Sequence, residues 1–208
     1  MNCADYLKLY LVTDRGCCGN RDLVEVVKEA VKGGVTMVQL REKEISTAEF
    51  IRLALRLKQA LKDTDTPIII NDRVDVALAV DADGVHLGQS DIPYEMARKI
   101  LDKDKIIGLS VESMQDVEVA NALDVDYIGV SPVFSTPTKT DTASPFGLDG
   151  LKKAVEMSVH PTVAIGGMNL STLPDVVRTG VNGVAVVSAI VGAEDPCEAS
   201  RKMRSILL

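Results

Sequence analysis

Long apolar runs are missing from this chain: no stretch approaches the roughly 20 residues a membrane-spanning helix needs, and the N-terminal MNCADYLK has no signal-peptide pattern. Positive charge is also short. Against 23 Lys and Arg stand 30 Asp and Glu, a formal net charge of −7, which argues against nucleic acid or a membrane surface as partner, since counterion release needs clustered cations. Any anionic ligand must therefore meet a local positive site. Cysteine is sparse and unpatterned: Cys3, Cys17, Cys18 and Cys197 show no CxxC spacing and two are adjacent, so neither a zinc knuckle nor a redox pair is suggested. Reduced thiols in a soluble cytoplasmic protein are the expectation. Histidine is limited to two residues, and without a Ser-His-Asp arrangement or a placed Cys-His pair acyl transfer has little support.

What is present is a repeat. KLYLVT, VTMVQL, PIIIN, GVHLG, KIIGLS, YIGVS, TVAIGG and GVAVVS are short β-branched runs separated by segments of helical periodicity. In DLVEVVKEAVKGG the apolar residues Leu23, Val26, Val27, Ala30 and Val31 share one face, and Gly33 stands where a helix end wants a left-handed residue. A capping box, Ser46 to Glu49, opens the next helix. Shorter helices are expected over 74–80, 94–101, 114–123, 151–157, 173–178 and 196–207. Continuous Val and Ile runs suit parallel strands covered by helices, and a β-α unit recurring about every 25 residues, eight times, gives a closed (β/α)8 TIM barrel. The doubly wound alternative needs G-x-G-x-x-G after its first strand, which TDRGCCG does not supply. With 46% hydrophobic residues, one domain spanning 1–208 is expected.

Such barrels place their chemistry at the carboxyl ends of the strands, and the unusual polar residues of this sequence fall there. In QLREK, strand alternation points Gln39 and Arg41 into the barrel, turns Val38 and Leu40 toward the helices, and gives Lys43 the inward parity. An inward Arg at a barrel mouth suits a diphosphate, which it would bind through two parallel hydrogen bonds beside the point charge of Lys43; a salt bridge to Asp14 or Asp72 is the plainer alternative. Asp72 and Asp91 end neighbouring units. They would converge on one hard divalent cation such as Mg2+, which takes one or two carboxylates and completes its octahedron with phosphate and water, or else serve as helix caps. Gly166-Gly167 after the seventh strand and Val187-Ser188 after the eighth match the phosphate cradle many barrels build from those two loops. The polar segment STPTKTD begins a long loop, 135–147, of the kind that forms lids; Thr136, Thr138 and Lys139 offer hydroxyls and a cation. His86 lies within a strand and His160 on the opposite face, so neither is assigned a catalytic role.

Taken in order, Q-L-R-E-K, I-N-D, H-L-G-Q-x-D, G-x-S, S-P-V-F-x-T-x-T-K, A-I-G-G and V-x-V-V-S resemble the thiamine-phosphate synthase family over about residues 10–207. The resemblance implies a transferase that joins 4-amino-5-hydroxymethyl-2-methylpyrimidine diphosphate to a thiazole phosphate, with diphosphate leaving first. It implies that Gln39, Arg41, Lys43, Asn71, Ser110 and Lys139 hold the pyrimidine diphosphate, that Asp72 and Asp91 ligate Mg2+, and that Thr136, Thr138, Gly167, Val187 and Ser188 hold the thiazole phosphate. The intervening Leu40, Glu42 and Pro137 belong to the same contact segments. Arg41, Lys43, Lys139 and Ser110 would act on the reacting groups. Where many members carry histidine two residues after the G-x-S serine, this chain has Glu112. The cysteine-bearing segment 15–20 carries no interpretable motif. The rival readings are a thiazole tautomerase on the same barrel, which would need a placed acid-base group, and a non-catalytic phosphate-ligand sensor. A homo-oligomer is compatible with the sequence, which does not fix one.

Overall fold

The eight β-branched runs all form strands in the computed structural model, which describes residues 3–135 and 144–207. They are β1 (Leu9–Val12), β2 (Met37–Leu40), β3 (Ile68–Asn71), β4 (Gly84–Leu87), β5 (Ile106–Val111), β6 (Tyr127–Val130), β7 (Thr162–Ile165) and β8 (Gly183–Val186). Each pairs parallel with the next in sequence, and β8 closes on β1. The barrel is covered by α2 (Leu23–Lys32), α3 (Thr47–Leu61), α4 (Val74–Ala79), α5 (Tyr94–Ile100), α6 (Met114–Asn121), α7 (Gly147–Met157), α8 (Leu173–Val177) and α10 (Pro196–Ile206). A short α1 (Cys3–Tyr6) precedes the first strand, a 3-10 turn (Arg15–Cys18) follows it, and a single-turn α9 (Ser188–Val191) follows β8; none of these three short elements has a periodic signal of its own.

Local chemistry explains the helix starts. Asp22 accepts the amides of Val24 and Glu25 at the head of α2, and Ser46 with Glu49 completes the expected capping box of α3. The helix 151–157 in fact begins four residues earlier, at Gly147, because a loop amide bonded to the Val133 carbonyl anchors glycine-rich residues that propensity alone leaves out. Gly33 corrects another expectation. Its φ is −77°, and the left-handed residue is Gly34 at +112°; Gly33 is required instead by close packing, since a Cβ there would lie 2.2 Å from the Cys197 carbonyl oxygen.

Alternation along the strands divides the interior into two clusters. Leu11, Val38, Leu40, Ile70, Val85 and their neighbours pack outward against the helices, while Tyr10, Val12, Met37, Ile69, Tyr127, Val163 and Ala185 fill the barrel lumen with Leu7. Tyr127 crosses the lumen only because its register partner on β5 is Gly108. A Cβ at that position would sit 2.1 Å from the Tyr127 Cζ, and Tyr127 is fully buried with nowhere to retreat. Gly108→Ala is therefore expected to destabilise the protein by about 1–3 kcal/mol through overpacking, read as a lower urea midpoint; an unchanged midpoint would show that the lumen repacks freely.

Among the described residues no helix is long and apolar enough to cross a membrane.

Candidate active site

The carboxyl ends of the strands open into a cavity of about 700 Å³. Gln39 and Arg41 from the end of β2, Lys43 just beyond, Asn71 and Asp72 after β3, Asp91 after β4, Ser110 on β5, Gly167 after β7, and Val187 with Ser188 after β8 all line it. Segments far apart in sequence thus converge as strand parity requires.

Two of the expected contact residues do not line the cavity. Leu40 is fully buried in the helix-side cluster, since a one-residue step along a strand reverses the face. Glu42 turns its carboxylate to Arg15, 3.2 Å away, and burial pushes its pKa up despite that partner. Thr136, Pro137, Thr138 and Lys139 lie outside the described residues.

The charged groups of the mouth have specific partners. Lys43 Nζ lies 2.5 Å from Asp72 Oδ2, so the salt bridge considered for Arg41 is made by its neighbour. Among the described residues Arg41 forms no ion pair; its amide is fixed by the Thr13 hydroxyl at 2.9 Å. Asp14 is occupied elsewhere, accepting the Gly16 amide at the start of the 3-10 turn.

Neither aspartate is a helix cap. The residue preceding α4 is Arg73 and that preceding α5 is Pro93. Asp72 instead adopts φ +61°, a conformation uncommon outside glycine and tolerated best by Asp and Asn. Its amide donates to the His86 carbonyl at 2.9 Å. Asp91 Oδ2 accepts the Gly88 amide at 2.7 Å. Burial, reinforced by contact with the Asp72 carboxyl group, pushes the Asp91 pKa up, as expected for two carboxylates sharing a site. Among the described residues no group of three or more His, Cys, Asp or Glu side chains surrounds a common point. Two oxygen donors backed by a lysine, with the rest of the sphere open to the cavity, suit a hard cation that keeps water and substrate phosphate as ligands.

Gly166 and Gly167 both have positive φ, +100° and +73°. A Cβ on either would also meet Pro132 or Phe134 within 3 Å. The turn after β7 is thus open only to glycine, and it lines the cavity together with Ser188, which opens α9 after the adjacent β8. Arg21 braces that side, donating to the carbonyls of Val191 at 2.7 Å and Cys18 at 3.1 Å. Burial raises the thiol pKa of both Cys17 and Cys18, so the cysteine-bearing turn presents no activated thiolate.

Tyr10 and Tyr127, which the sequence did not single out, line the cavity, as do His86, given no role there, and Glu112, noted only as a departure from the family pattern. For His86 the signal was available: in GVHLG it alternates with the helix-facing Val85 and Leu87, which places its ring in the lumen. His160 bonds the Ala120 carbonyl at 3.0 Å, away from this site, as expected.

Known proteins resemble this chain over most of its length. A family model described as thiamine monophosphate synthase matches residues 9–190. The chain is 51% identical over 201 residues to a thiamine-phosphate synthase of Albidiferax ferrireducens, covering 97% of this chain and 92% of the relative. It is 54% identical over 203 residues to one from Vibrio campbellii, covering 96% and 98%. Among solved structures, a thiamine phosphate pyrophosphorylase from Pyrococcus furiosus superposes with a TM-score of 0.91 at 43% identity, covering 99% of this chain and 98% of that one. A 3-hexulose-6-phosphate synthase, at 20% identity and TM-score 0.71, covers 96% of this chain and 99% of its own and shares the fold.

Proposed function

The chain belongs to the thiamine monophosphate synthase family and is a transferase of its activity, and from that premise we propose how the barrel mouth divides the work between two substrates. The observation that carries the proposal is that Arg41, Lys43, Asp72 and Asp91, from the ends of β2, β3 and β4, line the same cavity as the Gly166-Gly167 turn and Ser188, which follow β7 and β8. The pyrimidine diphosphate lies on the β2–β5 side, where Gln39, Asn71 and Ser110 offer an amide, an amide and a hydroxyl to a ring with several nitrogens. The thiazole phosphate lies on the β7–β8 side, where Val163, Ile165, Ala185 and Val187 give an apolar wall and the backbone amides of 166–167 and 188 meet the phosphate.

Asp72 and Asp91 would hold Mg2+. When bound, the ion supplies positive charge against the diphosphate oxygens. Arg41 grips the diphosphate bidentately, and Lys43, drawn from Asp72 toward the ligand, adds a point charge. Lys139 would supply a further cation. Charge that grows on the leaving diphosphate as its bond to the pyrimidinylmethyl carbon breaks is met by groups already in place. The thiazole nitrogen then forms the new C–N bond to that carbon. Nitrogen already carries the lone pair it needs, so no general base has to be poised beside it.

We further infer one domain spanning 1–208 in a soluble cytoplasmic enzyme, supported by four free cysteines and a net charge of −7. Neither the thiazole tautomerase nor the phosphate-sensor reading draws support from relatives of about half identity that are synthases over nearly their whole length. Mixing the purified protein with Mg2+, the pyrimidine diphosphate and the thiazole phosphate should yield thiamine phosphate and diphosphate in equal amounts. Failure to form either product, with the protein folded, would overturn the reading.

A further inference from the structure

Below the charged rim, five side chains from five strands form one hydrogen-bonded line across the lumen. Gln39 of β2 donates through Nε2 to the Tyr10 hydroxyl at 2.8 Å. The hydroxyls of Tyr10 (β1) and Tyr127 (β6) are 2.8 Å apart. Tyr127 Oη lies 2.9 Å from Nδ1 of His86 (β4), and His86 Nε2 lies 2.9 Å from the Ser110 hydroxyl (β5). The two tyrosines are buried to 1% and 0% exposure and Gln39 to 4%. The line is also built sterically. Gly108 clears the space for Tyr127, a Cβ at Gly129 would press on the His86 ring at 3.3 Å, and the His86 and Tyr127 rings stack with centroids 5.5 Å apart.

Counting protons gives the line a direction. Burial raises the pKa of both phenols, so each retains one proton to donate. The Tyr10 oxygen already accepts from Gln39, which leaves its own proton for Tyr127, and Tyr127 in turn donates to His86 Nδ1. A ring nitrogen that accepts carries no proton, so neutral His86 bears its proton on Nε2 and donates it to Ser110. Having accepted, Ser110 has its own hydrogen left to donate into the cavity. With the Gln39 amide in place, the opposite order would leave the buried Tyr10 proton without an acceptor among the described residues, and a buried donor without a partner is costly.

We propose that Tyr10 and Tyr127 are positioning residues which, through His86, hold the Ser110 hydroxyl as a hydrogen-bond donor to the bound pyrimidine diphosphate. The proposal rests on the placement of that substrate beside Ser110. It gives a role to three lumen side chains to which the metal and phosphate assignments give none, and it accounts for two phenols among the largely aliphatic residues of the lumen. A substrate arriving at a hydroxyl already oriented meets a donor without the cost of reorganisation.

The first test needs no substrate. With only two histidines in the chain, two-bond nitrogen–proton correlation spectra of the 15N-labelled protein above neutral pH, with His160→Gln identifying the second ring, report the tautomer of His86 directly. A protonated Nε2 is expected; a protonated Nδ1 would mean that the line runs the other way and would overturn the proposal. The second test is kinetic. Tyr127→Phe should lower kcat/KM for the pyrimidine diphosphate about tenfold, the effect of one lost hydrogen bond of about 1.4 kcal/mol, while KM for the thiazole phosphate stays put. In a Ser110→Ala background the same substitution should cost almost nothing, since the two act through one path. Equal losses in both backgrounds would reduce Tyr127 to packing and sink the idea. Should Tyr127→Phe fold poorly, Tyr10→Phe removes the adjoining donor and is read in the same cycle. Thiamine phosphate formation by the unaltered protein is scored separately, so a failed relay and a failed assignment of function give different results.

Discussion

Asp91→Asn is expected to lower Mg2+-supported turnover by about 10²-fold or more while leaving the melting temperature of the metal-free protein unchanged or higher. The reasoning starts from the shape of the site. Asp91 and Asp72 share a partly buried position, and burial together with the neighbouring carboxyl group raises the Asp91 pKa. A carboxyl group whose pKa is raised on folding is at its best below its unfolded pKa and loses that contribution as pH rises through the folded value. At neutral pH its ionised form is therefore a cost to the fold, and asparagine removes that cost. The isosteric amide can still accept the Gly88 amide hydrogen with its oxygen, now bonded to Asp91 Oδ2, and present its nitrogen to Asp72. A cation bound between the two carboxylates would relieve the same repulsion, so Mg2+ should raise the melting temperature of the wild-type protein and have little effect on Asp91→Asn. Thermal melts with and without Mg2+, paired with product assays, check both halves. Equal Mg2+ titrations for variant and wild type would remove Asp91 from the metal site, and a large loss of metal-free stability would make it a structural residue.

Arg41→Ala is expected to cost about 10²–10³ in kcat with little change in stability. Arg41 faces the cavity and makes no ion pair among the described residues, so its removal leaves no buried carboxylate without a partner. This is unlike the cost of breaking an established buried pair. Arg41→Lys separates charge from geometry: lysine keeps the positive charge but lacks the planar fork that fits two phosphate oxygens at once, and it should recover only a small part of the loss. Steady-state kinetics against the pyrimidine diphosphate decides the matter. If alanine leaves kcat within a few-fold of wild type, Arg41 does not meet the leaving group.

Much of this site was legible before any coordinates. Gln39, Arg41 and Lys43 share parity in QLREK, and that parity is what brings them to the cavity while Leu40 turns to the helices. The same rule applied to GVHLG would have placed His86 in the lumen. Glu42 was harder to read, because past the end of a strand the pleat no longer dictates direction and the Arg15 side chain, 27 residues away, captures its carboxylate. For Asp72 and Asp91 both a cap and a ligand satisfied the local pattern. The structure removed the cap, because Arg73 and Pro93 are the residues that precede the two helices, and it brought the two carboxyl groups beside each other; neither fact can be read from the local pattern.

The eight-fold alternation of strand and helix, and with it the barrel and the end that carries the charge, can be read from residues close together in the chain, because periodicity and strand parity are properties of neighbouring residues. Tertiary structure alone decided which side chains from different strands touch. Tyr10 meets Tyr127 across 117 residues only because parallel registers set side by side around a closed sheet bring them to one level, with Gly108 leaving the space between, and that closure is a property of all eight strands together.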